Sequence, residues 1–158
     1  MSRSRLANLP IRLTAGAFIL NAGLKKLNGE KEASERVHKF AVGAYPALEG
    51  VPPERFVQGL AAAEIALGGA LLSPFVVGDA LAGVGLSAFA GGLLGLYAKT
   101  PGMRMEGSVR PSQNGTALAK DSWLAGMGLT LLASTAAGWR ADRFRRNAKK
   151  ARGSAKAT

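Results

Sequence analysis

The run Ala80 to Ala98, ALAGVGLSAFAGGLLGLYA, holds nineteen residues without a single charge. As an α-helix it would extend about 28 Å, enough to span the hydrocarbon core of a bilayer. A second charge-free run of eighteen residues, Ser122 to Trp139, SWLAGMGLTLLASTAAGW, carries Trp123 near one end and Trp139 at the other. The interval between the tryptophans makes about 24 Å of helix, which suits two anchors at opposite lipid–water interfaces. Neither feature is expected of a core helix in a soluble domain. Charge is correspondingly uneven. The 158 residues hold 21 Lys and Arg against 10 Asp and Glu, a net charge of +11, and the end of the chain is crowded with them. Small residues among the apolar ones lower the mean hydropathy to +0.10 without making these runs polar.

Two more runs complete a four-span reading. Phe56 to Ser73 is interrupted only by Glu64, with Pro52-Pro53-Glu54 as a helix entry and Ser73-Pro74 as an exit. Leu13 to Leu24 is the shortest run, of a length also found in signal-peptide cores, but no small-x-small site follows it cleanly. If the helix starts at Pro10 and Arg12, Lys25 and Lys26 snorkel, Pro10 to Leu27 becomes a full span. The expected fold is therefore all-α: an integral membrane four-helix bundle with spans at about 10–27, 55–73, 78–98 and 120–139. Residues 1–140 form the bundle and 141–158 a basic tail. A short interfacial helix is expected over Ala33 to Tyr45, where Val37, Phe40, Ala41 and Ala44 recur at helical spacing. Thr100 to Thr116, with Pro101-Gly102, Pro111 and Asn114-Gly115, reads as turns. Four spans put both termini on one side. The basic tail makes that side cytoplasmic under the positive-inside rule, although the opposing loops also carry Lys and Arg.

The chain has no Cys and one His, His38. Disulfides, thiolate nucleophiles, Fe–S clusters and Cys-ligated zinc are excluded within it, and no metal site is expected. Redox chemistry would have to come from a bound cofactor or a partner. Glu64 stands out, because a carboxylate deep in a span costs at least about 2.5–3.5 kcal/mol and such residues usually face the bundle interior. Asn21, Lys25 and Lys26 occupy the matching half of the first span, so with Glu64 they are candidates for a polar pocket. Two readings stay open: a pocket for a quinone head group or a proton, and an interhelical hydrogen bond that fixes packing. Arg12 and Asp79 at one rim, and Lys120 and Asp121 at the other, are candidate ion-pair formers whose simpler role is anchoring helix depth. Gly91 and Gly95 form a GxxxG, and Ala62, Ala66 and Ala70 share a face near Gly69, which marks them for close helix contacts within the bundle, with a homo-oligomer seam as the alternative. In the tail, Arg143, Arg145, Arg146, Lys149 and Lys150 are positioned for anionic lipid or a docked partner. No nucleic-acid motif accompanies them.

As an ordered set these residues resemble the DoxX family of small four-span bacterial membrane proteins. The likeness runs through Arg12-Leu13-x-x-Gly16-x-Phe18 and Gly23-Leu24-x-Lys26-Leu27, then Glu64-x-x-x-Gly68-Gly69, then Lys120-Asp121 before an apolar run, and covers roughly Leu9 to Ala133. The long third loop and the basic tail depart from the family pattern. The resemblance implies a bundle in the bacterial cytoplasmic membrane linked to redox homeostasis. Some relatives are described as subunits of thiosulfate:quinone oxidoreductases, others as anchors for soluble oxidative-stress enzymes. Arg12, Lys26, Glu64, Lys120 and Asp121 are the residues it carries over.

The first expectation is an accessory or anchoring subunit, not catalytic on its own and without a cofactor, whose partners are membrane lipids and a soluble redox or stress enzyme. The second is a quinone-reactive subunit with Glu64 as proton carrier and Lys26 facing an anion such as thiosulfate. A small-solute transporter is the third.

Overall fold

The computed structural model describes residues 3–74 and 77–154, with side chains over 6–74 and 77–148. Among the described residues the chain is helical throughout, without a β-strand. The helices are α1 (Arg3–Leu27), α2 (Lys31–Ala44), α3 (Pro53–Leu72), α4 (Asp79–Lys99), α5 (Thr116–Ala119) and α6 (Ser122–Ser154), with a 3₁₀ turn at Pro46–Leu48. The all-α expectation holds. Of the four expected spans, α3 and α4 are long and apolar enough to cross a membrane by length and composition. In α1 the charges of Arg12, Lys25 and Lys26 interrupt the run, and in α6 small and polar residues dilute it.

The helix limits follow local chemistry with two exceptions. Pro53 occupies the first turn of α3, where its missing N–H would be unpaired anyway, and Glu54 beside it complements the helix dipole. Asp79 does the same in the first turn of α4. By contrast, Pro10 lies inside α1, which begins seven residues earlier than a proline start implies. A proline can sit there because only the Leu6 carbonyl loses its donor. Nor does α6 end at the tail. It runs 33 residues to Ser154, about 50 Å, so the basic segment is a continuation of the last helix.

The long helices form two antiparallel pairs, α1 with α3 and α4 with α6, and these pack on each other. Glycines make each pair close. A Cβ on Gly68 would stand 2.6 Å from the backbone nitrogen of Leu20, and one on Gly23 2.9 Å from the Ala61 carbonyl. In the other pair a Cβ on Gly128 would stand 2.8 Å from the Ser87 nitrogen. Of the small residues marked in the sequence, Gly95 lies tightly against the Tyr45 side chain, whereas Gly91 faces open space and Ala62 and Ala66 are exposed. The core between the pairs is Ala15, Ile19, Leu71, Ala82, Leu86, Ala90, Leu124 and Leu131.

Helix α2 covers the end of the bundle where α1 stops. Ala41 and Ala44 are buried, the His38 ring meets Phe56 edge-on at 5.4 Å, and Tyr45 donates to the Gly92 carbonyl of α4 at 2.8 Å. The loop after α4 is a series of turns closed by Met105 N–H to Arg110 O and Ser112 N–H to Met103 O, each 3.0 Å, and tied back to α4 by Tyr97 Oη to Val109 O at 2.6 Å. Gly102 and Gly107 make its two left-handed positions, with φ of +79° and +65°.

Candidate functional site

Two polar clusters lie among the long helices, about 21 Å apart along α1 from Arg12 to Lys26. The first is built on Arg12, which is fully buried. A helix leaves its last carbonyls without intrahelical donors, and α3 ends at Leu72. The guanidinium supplies those donors: Nε to Leu71 O at 2.9 Å and Nη2 to Ala70 O at 2.7 Å, with Val77 O in the following turn at 3.0 Å. Its Nη1 meets Asp79 Oδ1 at 2.8 Å. The cation thus sits at the negative end of α3 while the carboxylate sits at the positive end of α4, both favourable to the helix dipoles. Asn8, one turn before Arg12, donates to Asp79 Oδ2 at 2.9 Å and to Ser134 Oγ of α6 at 2.7 Å. All four long helices meet here.

The second cluster is Lys26 with Glu64. The ammonium lies 2.8 Å from both carboxylate oxygens, and the Glu64 side chain is 5% exposed against 25% for Lys26. The pair is closed on its carboxylate side and reached only through the lysine. Burial of such a pair brings little net stability, whereas removing one partner is costly.

Not all the residues singled out by sequence join these clusters. Asn21 and Lys25 are exposed, so they leave the expected pocket. They share a face of α1, but Lys26 is turned about 100° from Lys25, and it is the Lys26 face that meets α3. Lys120 and Asp121 form no ion pair among the described residues. They lie beside Thr14 and Phe18, not near Lys25 and Lys26, because α6 packs on the middle of α1. Arg143, Arg145 and Arg146 are exposed on the extended α6, and the side chains of Lys149 and Lys150 lie outside the described residues.

Asn8 and Ser134 were not among the expected site residues. With Pro10 read as the helix start, Asn8 falls outside the span, yet its i, i+4 spacing to Arg12 is a signal that the two share a face. Lys99 is a further addition, its ammonium 4.5 Å from the centre of the Tyr45 ring in a cation–π contact that ties the end of α4 to α2.

Chemically, the Arg12 network spends its donors on carbonyls and a carboxylate, and the Lys26–Glu64 pair satisfies itself. Both arrangements hold helices in register. No protein-family model matches the chain, and no curated protein or solved structure matches it either.

Proposed function

We propose that this chain is a DoxX-like integral membrane protein acting as an accessory or anchoring subunit in membrane-linked redox homeostasis. The observation that carries the membrane part is the placement of apolar and charged side chains. Phe18, Leu81, Leu129 and Trp139 are more than half exposed, on three different helices, while Arg12 and Glu64 are buried. A domain surrounded by water favours the reverse arrangement, and lipid favours this one. The two apolar helices α3 and α4 add to it. In this reading α1, α3, α4 and α6 are four spans with both termini in the bacterial cytoplasm, and α6 beyond Trp139 stands out of the membrane as a basic helical rod.

The redox assignment rests on the ordered motif around Arg12, Lys26, Glu64 and Lys120-Asp121. Anchoring is favoured over catalysis because the buried Arg12 is spent on Asp79 and backbone carbonyls and the buried Glu64 on Lys26. A quinone-reactive subunit would require the Lys26–Glu64 pair to open so that Glu64 could take a proton.

The test has two parts. Single cysteines placed at Ser2, Gln113 and Ser154 should label from outside only at Gln113, whose side chain is exposed; outside labelling at Ser154 refutes the topology. Mass spectrometry of the gently solubilised complex should find a soluble redox enzyme that is lost when residues 141–158 are removed. Retained quinone with no protein partner would favour the alternative.

A further inference from the structure

The two helix pairs are held together unevenly. Glycines close each pair from within, and the Arg12–Asp79 network with Asn8 and Ser134 joins the pairs at one end. Along the seam of α1 and α6 away from that network no glycine contact draws the backbones together, and the helices leave a groove of about 360 Å³. Its walls are Thr14, Ala15 and Phe18 from α1 and Trp123, Leu124 and Met127 from α6. Phe18 and Trp123 project from it, 66% and 68% exposed. Lys120 and Asp121 close one end, two opposite charges on successive residues, neither in an ion pair among the described residues.

We propose that this groove holds one acyl chain of a zwitterionic phospholipid whose head group carries a primary ammonium, with its phosphate on Lys120 and its ammonium on Asp121. The proposal rests on the membrane reading above. An apolar groove facing lipid is filled by hydrocarbon, because an empty one forfeits its dispersion contacts. The charges at its end select the head group. A phosphate satisfies Lys120, and an ammonium bearing N–H groups, two carbons along the same head group, satisfies Asp121 by a charge-assisted hydrogen bond. A quaternary ammonium has no hydrogen to donate. An anionic glycerol head group would answer Lys120 and leave the Asp121 carboxylate unpaired beside a phosphate. Trp123 at the mouth is a residue type that sits at head-group depth.

The experiment uses the full chain in detergent with an equimolar mixture of phosphatidylethanolamine, phosphatidylcholine and phosphatidylglycerol of identical acyl chains, read by native mass spectrometry. One phosphatidylethanolamine should be retained about tenfold over the other two, the equilibrium equivalent of one charge-assisted hydrogen bond. The double variant Lys120→Gln/Asp121→Asn should remove that preference, and Thr14→Phe, which fills the groove from an exposed position, should reduce retention of all three with an unchanged melting temperature. Equal or greater retention of phosphatidylglycerol, or phosphatidylethanolamine binding that survives both variants, overturns the proposal. Partitioning of the chain into the aqueous fraction without detergent would instead refute the membrane reading, so the two failures are distinguishable.

Discussion

Replacing Arg12 with Met keeps most of the side-chain volume while removing every hydrogen bond that the guanidinium donates. Asp79 would retain Asn8 alone, and the carbonyls of Ala70, Leu71 and Val77 would lose the donor they share, with Ala70 O keeping a long bond from the Ser73 N–H at 3.4 Å. Removing one partner of a buried ion pair costs about 3–5 kcal/mol. Each buried carbonyl left without a donor adds about 1 kcal/mol or more. These losses overlap, since one relaxation of the α3–α4 turn relieves several carbonyls together, so the expected destabilisation is about 5 kcal/mol, within the whole stability range of an ordinary domain. Arg12→Lys keeps the charge but replaces a planar fork by a single ammonium, and should cost about 2 kcal/mol. The assay is equilibrium unfolding in mixed micelles, run as a double-mutant cycle with Asp79→Asn. Removing both charges should recover part of the loss, with a coupling energy of at least about 2 kcal/mol. A loss below about 1 kcal/mol for Arg12→Met, or strict additivity in the cycle, would refute the idea that this network clamps the α3–α4 turn onto α1.

Adjacent glycines in α3 should behave oppositely. Gly68→Ala forces a Cβ into the Leu20 backbone and should destabilise by about 1–3 kcal/mol, while Gly69→Ala, with nothing within 4 Å, should be neutral or stabilising by about 0.4–1 kcal/mol, measured by the same unfolding assay. The Lys26–Glu64 pair should be asymmetric: Lys26→Met leaves a buried carboxylate unpaired and should cost about 3 kcal/mol, whereas Glu64→Gln leaves a lysine that water can reach and should cost less than half of that. Equal losses would show that exposure of the lysine does not matter. Shuffling residues 141–158 should leave binding to anionic vesicles within about twofold, because such binding follows charge number near the surface. Capture of a protein partner should disappear with the same shuffle, since Arg143, Arg146 and Lys150 fall on one side of α6 only in their native order. Unchanged capture would show that the rod is not read by its face.

Much of the helical layout was legible because helix formation is local. Each backbone hydrogen bond joins residues four apart, so an uninterrupted apolar run over Ala80 to Ala98, or a Pro-Pro-Glu entry before Phe56, marks a helix wherever it packs. The same local rules point to the turns after Lys99 and to a helix near Ala33 to Tyr45. They were less informative about Pro10, because a proline tolerated in mid-helix and one that starts a helix look alike in sequence. The chemistry of Glu64 was also visible without structure, since a lone carboxylate in an apolar run needs a partner.

Which partner it takes depends on the rotation of α1 about its axis, and rotation is a property of two helices together. Asn21, Lys25 and Lys26 lie within six residues, yet only Lys26 meets α3, because Gly23 and Gly68 let the backbones approach on that side alone. Sequence also offered Gly91 with Gly95 as a contact motif, but a glycine is only a gap until something fills it: the Tyr45 side chain fills the one at Gly95, Gly91 stays open, and α4 and α6 fill each other's gaps at Gly128 and Gly83. Around α4 the apolar residues are spread over every face, so the inner face carries no periodic mark. Apart from the start of α1 and the end of α6, helix positions were therefore a matter of sequence, while helix rotation, the Arg12 network joining α1, α3, α4 and α6, and the groove beside Lys120 and Asp121 came from the fit of one helix surface against the next.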